Sequence, residues 1–319
     1  MFKKITYGLL GFALSASLAN ANDLKTVAIT QIVEHPALDA CRKGVEDSLK
    51  KEGFIQGKNL NILFENAQGQ IPNTISIAKK FAGKNPDVIV AIATPSAQAV
   101  SKSAPNVPLV FSAVTDPVGA GLVKTLNKPG SNATGVSDLS PVHYHLELVK
   151  TIVPSIKRIG VIYNSGEANS MTLVNLLKKA ALSNNIKVVE AIALKSSEVL
   201  TSARSLIGKV DAIYIPTDNT VVSAFEAVVK VGQDAMIPVF AGDTSSVKRG
   251  AVAALGFDYY DVGLQTGKMV ADVLNGAKVG SIDVQTVTKL KLSVNLKAAS
   301  KMGVKIPSIL QVLANELIK

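Results

Sequence analysis

Short β-branched runs alternate with helix-length segments along almost the whole chain, and that alternation leaves few folds open. Lys25 to Thr30 (KTVAIT) reads as a first strand, and Pro36 to Glu52 as a helix stopped by Gly53. Further strands are expected at 61–64, 87–93, 107–113 and 133–136, with helical stretches between most of them. The pattern restarts after 141–154 with Arg158 to Tyr163 and continues through 186–191, 211–215 and 237–241. Strands joined by helical crossovers pair in parallel, with right-handed connections. Each half suits one doubly wound sheet, so the expected architecture is α/β with two similar lobes. Trp is absent and aromatics make up only 5% of the chain, while aliphatic residues and Ala abound, as in strands covered on both faces.

Two later segments complicate a two-bead reading. Residues 250–257 read as a strand, followed by an amphipathic helix from Tyr260 to Leu274 that ends at Asn275-Gly276. Another strand is expected near 284–294, and a closing helix from Pro307. A chain that revisits each lobe accounts for both and makes a multi-strand hinge. The expected division is 1–21 as a signal peptide, 22–139 plus 251–280 as the first lobe, and 140–250 plus 281–319 as the second.

The signal peptide rests on Lys3 and Lys4, the apolar run Ile5 to Leu18, and the small-residue pattern Ala19-Asn20-Ala21. Cleavage is expected after Ala21, releasing a soluble protein into a periplasm. The only cysteine, Cys41, lies inside a predicted helix, on its apolar face with Leu38, Val45 and Leu49, too far along to be lipidated. A single cysteine also rules out an internal disulfide. Losing Lys3 and Lys4 with no acid lowers the formal charge from +10 to +8, and the remaining Lys and Arg are scattered. Nucleic acid is therefore not an expected partner, since it calls for a clustered basic stripe.

In parallel α/β sheets, ligands bind beyond the carboxyl ends of the strands. Six such ends carry small hydroxyls, amides and carboxylates: 31–35, 94–98, 114–117, 164–170, 216–220 and 242–245. The candidate ligand residues are Gln31, His35, Thr94, Ser96, Thr115, Asp116, Ser165, Glu167, Asn169, Asp218, Asn219 and Asp243. Each alone could be a helix cap; their convergence from two lobes points to a cleft. Helix N-termini with the Thr94, Ser96 and Thr115 hydroxyls suit a carboxylate, and Asp116, Glu167, Asp218 or Asp243 could pair with an ammonium. That mixture fits a zwitterion, with Ile32, Val33 and Pro95 near enough in sequence to border an apolar slot. A chain without Trp is poorly equipped to stack a sugar.

Other chemistries find no support. Gly119-Ala-Gly121 has Lys124 where a dinucleotide fingerprint needs its third Gly. His143 and His145 are spaced to diverge rather than to share a metal. Gly135-Val-Ser137-Asp-Leu139 lacks the final Gly of a nucleophile elbow. No catalytic set and no cofactor are expected.

The stretch Thr115-Asp-Pro-Val-Gly-Ala-Gly-Leu-Val123, running into Lys128-Pro-Gly-Ser-Asn-Ala-Thr-Gly-Val-Ser-Asp138, resembles the type I extracytoplasmic solute-binding proteins of ABC uptake systems. Within these it is similar to the tryptophan-type, aromatic amino-acid-binding family. Ala91 to Gln98, Ser165 to Ser170, Thr217 to Thr220 and Asp258 to Gly263 support the resemblance. It implies a periplasmic-binding-protein type I clamp, an amino-acid ligand, and delivery to an inner-membrane permease with its ATPase. Such a clamp docks as a monomer. A periplasmic sensory receptor, presenting its ligand to a membrane kinase or chemoreceptor, uses the same clamp and stays open as an alternative.

Overall fold

The alternation resolves into two separate sheets, each with its own apolar core. The computed structural model describes residues 24–319, so the expected signal segment lies outside the described residues. The first sheet draws on β1 (Lys25–Gln31), β2 (Leu60–Asn66), β3 (Val88–Ile92), β4 (Leu109–Val114) and β5 (Ala133–Ser137). Helices α1 (Pro36–Lys51), α2 (Ile71–Lys84) and α3 (Thr94–Ser103) connect the first four of these. After α4 (Val142–Ile152) the second sheet builds from β6 (Arg158–Tyr163), β7 (Lys187–Ile192), β8 (Ala212–Ile215) and β9 (Val239–Ala241). These alternate with α5 (Ala168–Leu182), α6 (Val199–Ser205), α7 (Asn219–Ser223) and α8 (Phe225–Asp234). The remainder comprises α9 (Ser245–Lys248), β10 (Ala253–Gly256), α10 (Tyr259–Leu274), β11 (Gln285–Thr286), β12 (Lys291–Asn295), α11 (Leu296–Lys301), α12 (Ser308–Leu313) and β13 (Glu316–Ile318).

The strand orders are β11-β5-β4-β3-β1-β2 in one sheet and β13-β12-β10-β9-β8-β6-β7 in the other. Both are doubly wound α/β sheets of the periplasmic-binding-protein type I kind. The first is parallel throughout, and fully buried strands such as β3 (VIVAI) show why those runs read as continuous apolar stretches. The second is parallel from β7 to β10, but β12 pairs antiparallel with β10. The chain leaves β10 at the cleft end, and β12 re-enters from that same side, so it must run the other way.

The lobe division expected from sequence needs two corrections. Residues 251–280 were expected in the first lobe, yet β10 lies between β9 and β12, with Ala253 and Ala254 fully buried in the second core. The first lobe resumes only at Phe257. Residues 281–319 were expected in the second lobe, yet β11 extends the first sheet beside β5. The single strand expected near 284–294 is therefore two short ones in different sheets, because the chain crosses between lobes there. The three crossings fall at 138–141, 257–258 and 287–290.

What brings 259–274 back to the first lobe is a close helix contact. Gly44 of α1 and Gly263 and Gly267 of α10 meet backbone to backbone. A Cβ on Gly263 would overlap the Cys41 carbonyl oxygen and lie 2.9 Å from Gly44 Cα, and one on Gly267 would sit 2.6 Å from the Val45 oxygen. Gly263→Ala is expected to lower unfolding stability by about 1–3 kcal/mol, read as an earlier urea midpoint. An unchanged midpoint would show that the two helices can separate freely.

Candidate functional site

The carboxyl ends of the parallel strands in both sheets turn toward one cleft, which encloses a narrow cavity. From the first lobe come His35, Ala37 and Leu38 after β1, Ala93 and Thr94 after β3, and Ala113 and Thr115 after β4. Asp138 and Tyr259 arrive from the crossings. The second lobe supplies Asn169 on the first turn of α5, Thr217, Asn219 and Val222 around α7, and Asp243 after β9.

Two carboxylates set the electrostatics. Asp138 and Asp243 are each only 3% exposed. Thr115 Oγ1 donates to Asp138 Oδ1 at 3.2 Å, and the Tyr259 phenol donates to Oδ2 at 2.6 Å. Asp243 holds the turn entering α9, accepting from the Ser246 N–H at 2.9 Å and the Ser246 hydroxyl at 2.6 Å. Burial nonetheless pushes both carboxyls above their ordinary range. Among the described residues no Lys or Arg lines the cavity. The Arg249 charge is felt at Asp243, but its guanidinium is committed to both Glu226 oxygens and the Val222 carbonyl, each at 2.7 Å. His35 is neutral, its pKa lowered to about 3 by burial first and by Arg249 second. Two buried acids thus meet the cavity without a cation in its wall, and a buried charge left unpaired is costly.

Further polar atoms wait beside them. Thr94 Oγ1, Thr217 Oγ1 and Asn169 Oδ1 are buried without hydrogen-bond partners. Helix α3 has no side-chain cap, so the N–H groups of its first turn are unclaimed next to Thr94. Backbone strain gathers here as well. Ala93 and Ala113 hold φ of 75° and 53° at the ends of β3 and β4, a region costly for residues other than glycine.

Among the residues singled out from sequence, His35, Thr94, Thr115, Asn169, Asn219 and Asp243 line the cavity. The others do not, for identifiable reasons. The Gln31 amide donates to the Val33 carbonyl and to Asp39, at 2.8 Å each. Ser96 is fully buried away from the cavity, and Ser165 is exposed to solvent. Asp116 closes a turn by accepting from the Gly119 N–H at 2.8 Å. Glu167 clasps the start of α7, accepting from Asn219 Nδ2 at 2.5 Å and from the Thr220 hydroxyl at 2.8 Å. Asp218, expected to meet an ammonium, caps α7 instead. It accepts from the Val221 N–H at 2.7 Å and from the Asn164 N–H and Ser170 hydroxyl at 2.6 Å each. Burial and the neighbouring Glu167 charge push its pKa up, and it braces the loops that carry Asn169 and Asn219. Ile32, Val33 and Pro95 are also absent from the wall. Asp138 follows β5 and Tyr259 opens α10 just after β10, two strand ends outside the six singled out from sequence. The stretches 128–138 and 258–263, prominent in the family resemblance, were the signal that could have found them.

Residues 26–318 match the family model described as ABC transporter substrate binding protein. The chain belongs to that family. A curated relative, the tyrosine-binding protein of Clostridioides difficile, is 43% identical over 92% of this chain and 86% of its own. A conserved domain protein from Vibrio cholerae is 49% identical and superposes with a TM-score of 0.91, over 92% of this chain and all (100%) of that one. An ABC domain from a Streptococcus, solved in complex with L-Trp, is 36% identical with a TM-score of 0.89, over 92% and 99% of the two chains. A ligand-free, open substrate-binding protein from Clostridium difficile is more similar in sequence, at 44%, yet superposes at only 0.69 over the same shares, 92% and 99%. Identity would order those two the other way, so the lobes here are arranged more as in the complex than as in the open chain.

The family's cleft makes Asp138 separable from folding. Because burial raises its pKa in the folded state, the empty protein gains stability as pH falls through that raised pKa and loses it as pH rises. Asp138→Asn is therefore expected to leave the melting temperature of the empty protein at pH 7 unchanged or higher. The same change should weaken binding of an amine ligand by at least about tenfold, the scale of a charged hydrogen bond. Scanning calorimetry and titration calorimetry on the same samples check both halves.

Proposed function

We propose that this chain captures an aromatic amino acid between its lobes outside the cytoplasm and hands it, as a monomer, to an inner-membrane ABC permease with its ATPase. The observation that carries the ligand class is the pair Asp138 and Asp243, buried carboxylates around a cavity whose wall holds no cation. An α-ammonium supplies the missing charge. The α-carboxylate fits the uncapped first turn of α3 and the unpartnered Thr94 hydroxyl. Ala37, Leu38, Ala93, Ala113 and Val222 offer apolar wall to a side chain. The tyrosine-binding relative and the L-Trp complex support an aromatic side chain.

The physics of capture follows from the division of the wall between lobes. Neither lobe alone presents both acids and the α3 turn, so a zwitterion makes its full set of contacts only when the lobes close. Contacts available only in the closed form are what shift the population toward it. The expected signal segment at 1–21 supports a location outside the cytoplasm, and among the described residues no helix is long and apolar enough to cross a membrane.

A thermal-shift panel tests the reading. L-tyrosine, L-tryptophan or L-phenylalanine at a hundredfold excess over Kd should add about 2.7 kcal/mol of apparent stability. 3-(4-Hydroxyphenyl)propionate, which keeps the ring and carboxylate but lacks the amine, should add almost nothing. An equal response to both would contradict the ammonium assignment.

A further inference from the structure

A zwitterion leaves part of the polar wall unclaimed. Among the described residues, three buried polar atoms of the wall lack a hydrogen-bond partner: Thr94 Oγ1 in the first lobe, and Asn169 Oδ1 and Thr217 Oγ1 in the second. Thr94 goes with the uncapped α3 turn, which leaves a pair. Its members are neighbours, since Asn169 Nδ2 donates to the Thr217 carbonyl at 3.1 Å. The same nitrogen donates to Glu167 Oε2 at 3.2 Å and to the Ser170 hydroxyl at 3.3 Å. Those acceptors fix which way the amide faces. Turning it over would set Oδ1 against a carboxylate and a carbonyl, so the oxygen keeps the opposite branch of the planar amide. Asn169 is only 4% exposed, and its oxygen is an acceptor held in place with nothing to accept. Beside it, the Thr217 hydroxyl is free both to donate and to accept. Buried polar atoms left in this state are costly until something pairs with them.

We propose that Asn169 and Thr217 form a subsite that reads a hydroxyl on the ligand's side chain, so that the preferred ligand is an aromatic amino acid with a ring hydroxyl. This rests on the amino-acid reading above. A phenol donates its proton to Asn169 Oδ1 while its oxygen accepts from the Thr217 hydroxyl, so one group satisfies both atoms. A ring N–H supplies only the donor and leaves the Thr217 proton unmet. A bare phenyl ring leaves both atoms buried without partners, and a site built to bond a hydroxyl rejects the analogue lacking it. An anion is turned away by the Asn169 oxygen and the Glu167 carboxylate behind it, so the pair is no second seat for the α-carboxylate. An ammonium has no lone pair to offer Thr217, and Asp138 and Asp243 are its stronger partners. The pair belongs to the second lobe and the α3 turn to the first, so reading the hydroxyl while holding the carboxylate requires closure.

Titration calorimetry on the full mature protein with L-tyrosine, L-phenylalanine and L-tryptophan tests the subsite. The parent should bind tyrosine at least about tenfold more tightly than phenylalanine, because the phenyl ring leaves buried groups unpaired. Thr217→Val removes a hydroxyl that bonds to no protein group, so its melting temperature should match the parent. It should lower the ratio of tyrosine to phenylalanine affinity by about two- to tenfold, the scale of one neutral hydrogen bond. Asn169→Ala should lower the same ratio; should it lose its fold through the freed Glu167, Thr217→Val alone still decides. An unchanged ratio in Thr217→Val, or a parent that prefers phenylalanine or tryptophan, would overturn the subsite and leave the amino-acid reading standing. A parent that binds none of the three would overturn both.

Discussion

Asp138 is held on the first crossing between the lobes by a hydroxyl just beyond β4 and a phenol from the start of α10, and nothing in the cavity wall neutralises it. Its two donors tie three separate parts of the chain to one carboxylate: the end of a strand, the first hinge segment and the helix that returns after the second crossing. The backbone around it is arranged so that a charge can be kept buried at all. The cost of that charge is what makes the cleft incomplete, and incompleteness is what a binding protein needs. A cavity whose polar groups were mutually satisfied would close well and recognise nothing.

The closed arrangement is therefore a balance rather than a resting place. Asp138 and Asp243 contribute an electrostatic penalty to the empty cleft, and the α3 turn contributes unclaimed donors. Strain at Ala93 and Ala113 is stored in the same wall. Against these stands, at the hinge, the Lys291–Asp258 ion pair of 2.6 Å. That pair is about one-third exposed on each side, so solvent screens much of its attraction. A ligand carrying both charges converts the penalties into contacts. Opposing terms of this kind keep the difference between open and closed small enough for a small molecule to reverse.

Much of the fold is legible in the sequence because its signals are local. The runs KTVAIT, RIGVIY and DAIYI announce strands through β-branching and burial on both faces, and Gly53 and Asn275-Gly276 mark helix ends. The crossings are less legible. β10 reads as a strand from its own residues, but only its pairing with β9 and β12 assigns it to the second sheet. The antiparallel direction of β12 follows from where the chain re-enters, which no local pattern records. In the site, half of the residues named from strand-end position, His35, Thr94, Thr115, Asn169, Asn219 and Asp243, line the cavity. It could not tell which helix-capping carboxylate also borders the cavity. Asp218 and Asp243 have the same chemistry and similar positions after a strand, yet only Asp243 lines the wall. The strain at Ala93 and Ala113 is invisible for a simpler reason, since alanine carries no hint of a positive φ.

The most direct test of an acid-lined, cation-seeking cleft is the proton count of binding. Titration calorimetry with L-tyrosine, run below neutral pH in two buffers of different ionisation heat, measures it. Burial raises the pKa of Asp138 and Asp243 in the empty protein, and an ammonium partner must lower it again. Binding should then release protons, increasingly so as pH falls toward the carboxylate range, and affinity should fall in step. Binding of tyrosine with no net proton exchange across that range would contradict the account.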